Sequence, residues 1–128
     1  MPTTKLSGTI FSGTGQGKKF VDLPWVKRQL KEKTGFTFYS GTLNIRLNKE
    51  SAKQRSMLDK LEGIEVEPEA GYYSGLLFKA KIGAAECFIV IPKMQNYPKD
   101  VLEIISPLNL REKLKLKDKD TVTVEVTA

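Results

Sequence analysis

The chain contains no histidine. That excludes a Ser–His or Cys–His nucleophile pair and any histidine-ligated zinc or iron centre. Any catalysis must therefore run on carboxylates, lysines, hydroxyls, backbone amides or a hard metal. Phosphoryl transfer fits that inventory, because it depends mainly on positioning and charge stabilisation. Cysteine is almost absent too. Cys87 stands alone, so no internal disulfide can form and a cytoplasmic location is expected. Cys87 opens the longest apolar run, Cys87 to Ile91, and is expected to be a buried packing residue rather than a nucleophile. That run is far too short to cross a bilayer. Met1-Pro2-Thr3-Thr4-Lys5 lacks the apolar core of a secretory signal, so neither export nor a membrane partner is expected. There is no internal repeat, low-complexity tract or linker.

What is present is an ordinary globular balance: 128 residues, 40% apolar and 28% charged. One domain over 1–128 with one real core is expected. The net charge of +6 favours an anionic partner, whether nucleotide, nucleic acid or membrane surface. The lysines are spread along the chain rather than clustered, which weighs against nucleic acid. No segment is an obvious dimerisation element, so a monomer is expected.

The stretch Tyr39 to Leu47 (YSGTLNIRL) organises the rest. Ser40-Gly41 is turn chemistry, since glycine takes the positive φ that a tight turn needs. Beyond it Leu43, Ile45 and Leu47 alternate with Thr42, Asn44 and Arg46, the period of a strand with one buried face. Thr42 and Asn44 then present a hydroxyl and an amide oxygen side by side. This is either a plain solvated strand face or a pair of neutral oxygen donors for a hard cation such as Mg²⁺.

Taken in order, Lys5 to Phe11 is expected to be a strand. Ser12 to Phe20 (SGTGQGKKF) has three glycines at alternate positions followed by two lysines. Its backbone N–H groups could line an anion nest. It departs from a Walker A loop, because Lys19 stands where Ser or Thr is needed, and from a dinucleotide fingerprint, because Phe20-Val21 looks extended rather than helical. A glycine-rich hairpin or loop and a phosphate cradle both remain open. Asp22 to Thr34 is expected to be a helix, with Asp22 as N-cap, Pro24 in the first turn and Gly35 as its stop. Ser51 to Leu61 is a second helix ended by Gly63, and Ile64 to Ala70 is irregular. Gly71–Ile82 and Glu86–Ile91 form a hairpin around Gly83-Ala84-Ala85, closed by Pro92. Glu103 interrupts the apolar run VLEII. On a half-buried strand it faces solvent; in a cleft it is the best general-base or orienting group in the chain. PLNLREKL carries Arg111 on a short helix, where it could clamp phosphate, and Thr121 to Val126 is a last strand. Six or more short strands with two or three helices indicate a small closed β-barrel.

In order and spacing, SGTGQGKKF, the helix ending at Gly35-Phe36, YSGTLNIRL, FIVIPK and VLEIISPLNLREKL resemble the archaeal CTP-dependent riboflavin kinases over nearly the whole chain. The resemblance implies a mainly β fold, a six-stranded cradle-loop barrel with two or three short helices. It implies transfer of the γ-phosphate of CTP to the 5′-hydroxyl of riboflavin, giving FMN and CDP. Thr14, Gly15, Gln16, Gly17, Lys18 and Lys19 would hold the nucleotide from one side and Leu108, Asn109, Leu110 and Arg111 from the other. Thr42 and Asn44 would bind Mg²⁺. Glu103 would meet the ribityl chain of the flavin, and Gln95 would touch the flavin as well.

Two positions depart from the family pattern. Gln95 stands where a threonine is expected, with Asn96 or Tyr97 as substitutes. Asp118-Lys119-Asp120 replaces an Asp-Gly-Asp turn, which is expected to lie far from the site and not to affect function. The alternatives are the same kinase with another nucleotide donor, or a non-enzymatic basic barrel that binds DNA.

Overall fold

Seven strand segments among the described residues join one antiparallel sheet. They are β1 (Thr3–Phe11), β2 (Leu43–Leu47), β3 (Ile64–Val66), β4 (Gly75–Ile82), β5 (Ala85–Pro92), β6 (Val101–Ile105) and β7 (Thr121–Thr127). The computed structural model describes residues 3–13, 16–69, 71, 73–94 and 97–127. The strand order is β3-β4-β5-β6-β2-β1-β7, and β4 also pairs with β7 through Ala80↔Val126 and Lys81↔Glu125. One edge of β4 is therefore shared: its first residues take β3 and its last take β7. Six strands close into a barrel and β3 lies outside the ring, so the fold is the mainly β, six-stranded barrel that the sequence indicates. Closure removes the free edges an open sheet would expose.

The barrel wall has two apolar faces. Inside, Leu6, Ile10, Ile45, Cys87, Ile89, Leu102, Ile104, Val124 and Val126 are all essentially inaccessible. Outside, Val66, Leu77, Phe88, Val90 and Ile105 pack against Val21, Trp25, Val26 and Leu30 of two helices, α1 (Gln16–Asp22) and α2 (Pro24–Thr34). Burial on both faces explains why β5 is a continuous apolar run rather than an alternating one. Cys87 is a buried packing residue, as expected.

Several local expectations need correction. Phe20-Val21 is helical, not extended. A seven-residue helix has little stability of its own. It forms because Val21 enters the outer apolar layer and Phe20 packs edge-on to Trp25 at 6.1 Å. Asp22 ends α1 and does not cap α2; Leu23 occupies the N-cap without a side-chain hydrogen bond. Pro24 and Gly35 do stand at the two ends of α2, with Gly35 left-handed at φ 81. The second helix starts earlier than expected, as α3 (Lys49–Gln54), because Asn48 caps it by accepting from Ser51 N at 2.8 Å. It continues as a 3₁₀ turn over Arg55–Lys60 and ends at Leu61, short of Gly63. The acidic stretch after it is not wholly irregular, since β3 occupies Ile64–Val66. With α4 (Leu110–Lys113) the described residues hold four short helices rather than two or three; α1 is the one the sequence did not suggest. No helix among them is long and apolar enough to cross a membrane.

Candidate active site

Inward Leu43 and Ile45 force Thr42 and Asn44 onto the outer wall of the barrel. Asn44 is paired directly with Glu103 across β2 and β6, and Glu103 in turn with Val90 across β5. Asn44, Glu103 and Val90 therefore form a row across three strands of the outer face, where opposed side chains are neighbours. Gly13 lies against this row. A Cβ built on it would stand 2.5 Å from Asn44 Nδ2, so only glycine lets the glycine-rich segment approach so closely. At the turn before β2, Gly41 has φ +140, as the turn chemistry of Ser40-Gly41 requires.

Two clefts open on this wall. The first encloses about 420 Å³ and is lined by Lys19, Phe20, Leu23, Tyr73, Val90, Met94, Tyr97 and Glu103, among others. The second encloses about 300 Å³ and is lined by Lys18, residues 39–43, Ser106 and residues 108–111. Helix α1 stands between them. Consecutive residues on a helix point about 100° apart, so Lys18 faces one cleft and Lys19 the other. Glu103 belongs to the first cleft and Thr42 to the second, with Asn44 between them along the wall.

The electrostatics differ between the clefts. In the first, burial pushes the Glu103 carboxyl up from its ordinary value, partly offset by the nearby Tyr97 hydroxyl. Burial also raises the Tyr97 hydroxyl, helped by the charge of Glu103. That hydroxyl is buried and makes no geometrically sound hydrogen bond among the described residues. The Arg55 guanidinium lies 5.9 Å from the Tyr97 ring centroid, and burial lowers its pKa. Beside the second cleft, Asp22, the partner of Lys18, is held below the usual carboxylate range, first by a hydrogen bond from Ser40 and then by Lys18. Lys18 reaches it at 3.3 Å and Lys27 at 3.9 Å.

The residues named from sequence fall as follows. Thr14, Gly15 and Gln95 lie outside the described residues. Gln16 and Gly17 begin α1, so the glycine segment does open a helix. Lys18, Thr42, Leu108, Asn109, Leu110 and Arg111 all line the second cleft, and Lys19 and Glu103 the first. Asn109 caps α4 by accepting from Glu112 N at 3.3 Å and donates to Tyr39 at 3.1 Å. The Leu110 side chain is buried in the core. It can therefore offer a ligand only its backbone. Glu103 does not face open solvent; it lies half-buried in a cleft.

One expectation is overturned outright. The turn at Asp118 is not far from this region. Asp118 accepts from Ser12 Oγ at 2.7 Å and from Arg111 Nη2 at 2.7 Å. Tyr39, Tyr73, Asp22 and Asp118 were not among the site residues named from sequence: Tyr39 and Tyr73 line the clefts, and Asp22 and Asp118 pair with the lining residues Lys18 and Arg111.

No group of three or more Cys, Asp or Glu side chains able to hold a metal occurs among the described residues. Thr42 and Asn44 offer neutral oxygens instead. That donor set suits a Mg²⁺ ion that keeps most of its waters and takes the rest of its shell from phosphate.

The family model labelled CTP-dep_RFKase, described as domain of unknown function DUF120, matches residues 10–126. The chain is 44% identical over 128 residues to a riboflavin kinase of Archaeoglobus fulgidus, covering 97% of this chain and 55% of that protein. It is 41% identical over 129 residues to a riboflavin kinase of Pyrobaculum aerophilum, covering 95% and 60%. It is 36% identical over 126 residues to one of Methanosarcina barkeri, covering 95% and 56%. The chain thus spans little more than half the length of the curated relatives it matches. With its model matched over nearly the whole chain, it belongs to the CTP-dependent riboflavin kinase family, DUF120.

Proposed function

We propose that the chain transfers the γ-phosphate of CTP to the 5′-hydroxyl of riboflavin, giving FMN and CDP. The observation that carries this reading is the pair of clefts on one wall, joined by the row Thr42, Asn44 and Glu103. The first cleft has the volume and apolar lining of a small-molecule site. Phe20, Leu23, Val90, Met94, Tyr73 and Tyr97 suit a flat fused ring. The second is lined by the basic side chains of Lys18 and Arg111 and suits a nucleotide triphosphate.

In this reading the backbone amides around Thr14 to Gly17 and the side chains of Lys18, Lys19 and Arg111 hold phosphate oxygens. Residues 108–111 close the nucleotide from the other side. Thr42 and Asn44 would hold Mg²⁺, whose chemistry when bound is to neutralise charge developing on the phosphates. Gln95 touches the flavin. Glu103 accepts the hydrogen of the attacking hydroxyl and aims its oxygen along the line of transfer. Burial makes its carboxylate a stronger acceptor. Orientation is its main task, because a loose phosphoryl transition state needs little proton removal before bond formation.

The test is FMN formation from riboflavin and Mg²⁺ with CTP or ATP, read by chromatography. FMN from CTP alone supports the proposal. FMN from ATP keeps the reaction and replaces the donor. FMN from neither overturns it. The alternative of a DNA-binding barrel gains little from the geometry. Lys27 pairs with Asp22, Lys31 donates to Gly35 O, and Lys33 donates to Gln29 and to the Glu65 carbonyl. Three of the lysines on α2 are thus engaged with intramolecular partners. Binding to duplex DNA that falls steeply with salt would favour that alternative.

A further inference from the structure

The second cleft has two walls that are remote in sequence. One is Lys18 of α1 with the turn at 39–43; the other is the 108–111 segment, which carries Arg111 at the start of α4. Ser12 follows β1 directly. No described hydrogen bond joins Ser12 to Arg111 directly. Both are instead held by one carboxylate on a third segment. Asp118 Oδ2 accepts from Ser12 Oγ and Asp118 Oδ1 from Arg111 Nη2, each at 2.7 Å. The turn that carries Asp118 is itself pinned to the end of β1. Ile10 N donates to Asp120 O at 2.9 Å and Lys119 N to Ile10 O at 2.8 Å. Asp118 is thus fixed to the end of β1, and it holds the arginine that lines the cleft.

We propose that Asp118 is a positioning residue for the nucleotide cleft: it ties Arg111 to Ser12 and the end of β1 and holds the guanidinium so that its remaining N–H donors meet the phosphates. This rests on the kinase reading only for the identity of the ligand. The Arg111 and Asp118 side chains are 37% and 48% exposed, and an exposed ion pair contributes little net stability. Asp118 engages Arg111 through Nη2, and the other guanidinium N–H donors can meet phosphate oxygens in the cleft. The two bonds also hold the Asp118 carboxyl below its usual range, Ser12 first and Arg111 second.

The test compares the wild-type chain with Asp118→Ala, Asp118→Glu, Arg111→Ala and the Asp118→Ala, Arg111→Ala double variant. Three quantities are read: Mg·CTP affinity by calorimetry without riboflavin, the KM for each substrate, and the thermal midpoint. Asp118→Ala should weaken nucleotide binding and raise the nucleotide KM about three- to tenfold, as coupled contacts do. The riboflavin KM should stay constant and the midpoint should move by no more than about 2 °C. Asp118→Glu should recover part of the loss. The double variant should lose less than the product of the two single losses. The proposal is overturned if Asp118→Ala leaves nucleotide affinity unchanged or tightens it. It is also overturned if both KM values move together or if the single losses multiply. A wild-type chain that binds Mg·CTP but makes no FMN defeats the kinase reading and leaves Asp118 to be judged on binding. A wild-type chain that binds no nucleotide defeats both.

Discussion

Lys119 is the clearest place to trade a strained residue for a relaxed one. Its φ is 78, in the left-handed region that side chains with a Cβ avoid. The strain cannot relax by local movement, because the turn is held on both sides. Lys119 N donates to Ile10 O at 2.8 Å, Ile10 N to Asp120 O at 2.9 Å, and Lys117 N to Asp120 Oδ2 at 2.9 Å. A left-handed residue with a Cβ costs about 1–2 kcal/mol. Glycine removes that cost but gives the unfolded chain roughly 0.4–1 kcal/mol more entropy to lose. Lys119→Gly should therefore stabilise the fold by about 0.5–1 kcal/mol. Unfolding entropy of about 2.1 cal/mol/K per residue over 128 residues converts this to a rise of about 2–4 °C in the melting midpoint. The assay is thermal unfolding followed by circular dichroism, with Lys119→Ala as a control that should not gain. A midpoint that falls or stays level in Lys119→Gly, or rises equally in Lys119→Ala, would refute the reasoning. This accounts physically for the Asp-Gly-Asp turn that the family resemblance leads one to expect here.

Glu103→Gln should lower kcat about 10- to 100-fold if the carboxylate orients the hydroxyl, and nearer 10⁴-fold if it acts as a full general base. The same change should raise stability at neutral pH. Burial raises the Glu103 carboxyl above its ordinary 4.5, so the stabilisation from its protonated form is complete below that value and lost as pH rises through the raised one. Glutamine mimics the protonated form. Melting midpoints of variant and wild type should therefore converge at low pH and separate above it, and parallel curves would count against a buried carboxylate. Thr42→Ala and Asn44→Ala should each abolish Mg²⁺-dependent FMN formation while leaving the circular dichroism spectrum unchanged; full turnover in both would defeat the metal assignment. Cys87, whose thiol burial pushes up to about 12, should resist a thiol-labelling reagent at pH 8 in the native chain and react once denaturant is added. Rapid native labelling would show that the barrel interior opens.

Much of the fold could be read locally, because the features concerned are periodic or sit at ends. The alternation Leu43, Ile45, Leu47 shows which side of β2 is buried, and hence that Thr42 and Asn44 share the other side. Pro24 and Gly35 mark the ends of α2, since the chemistry of a helix terminus belongs to one or two residues. The order of the motifs was enough to point to the family. Helix α1 was not legible. Its glycine-rich start argues against helix, and the force that creates it is the apolar outer wall it covers. The meeting of Asn44 with Glu103 depends on the register of β2 against β6, and the bridge from Ser12 through Asp118 to Arg111 joins residues 106 positions apart. Register and barrel closure are long-range choices, decided by how all six strands share one interior. The sequence by itself therefore determined which residues carry usable chemistry and on which face of their element they lie. Only the tertiary structure decided that Glu103 sits in a cleft, that one helix divides two clefts, and that the turn at Asp118 meets the arginine of one of them, because those facts arise from strand pairing across the whole chain.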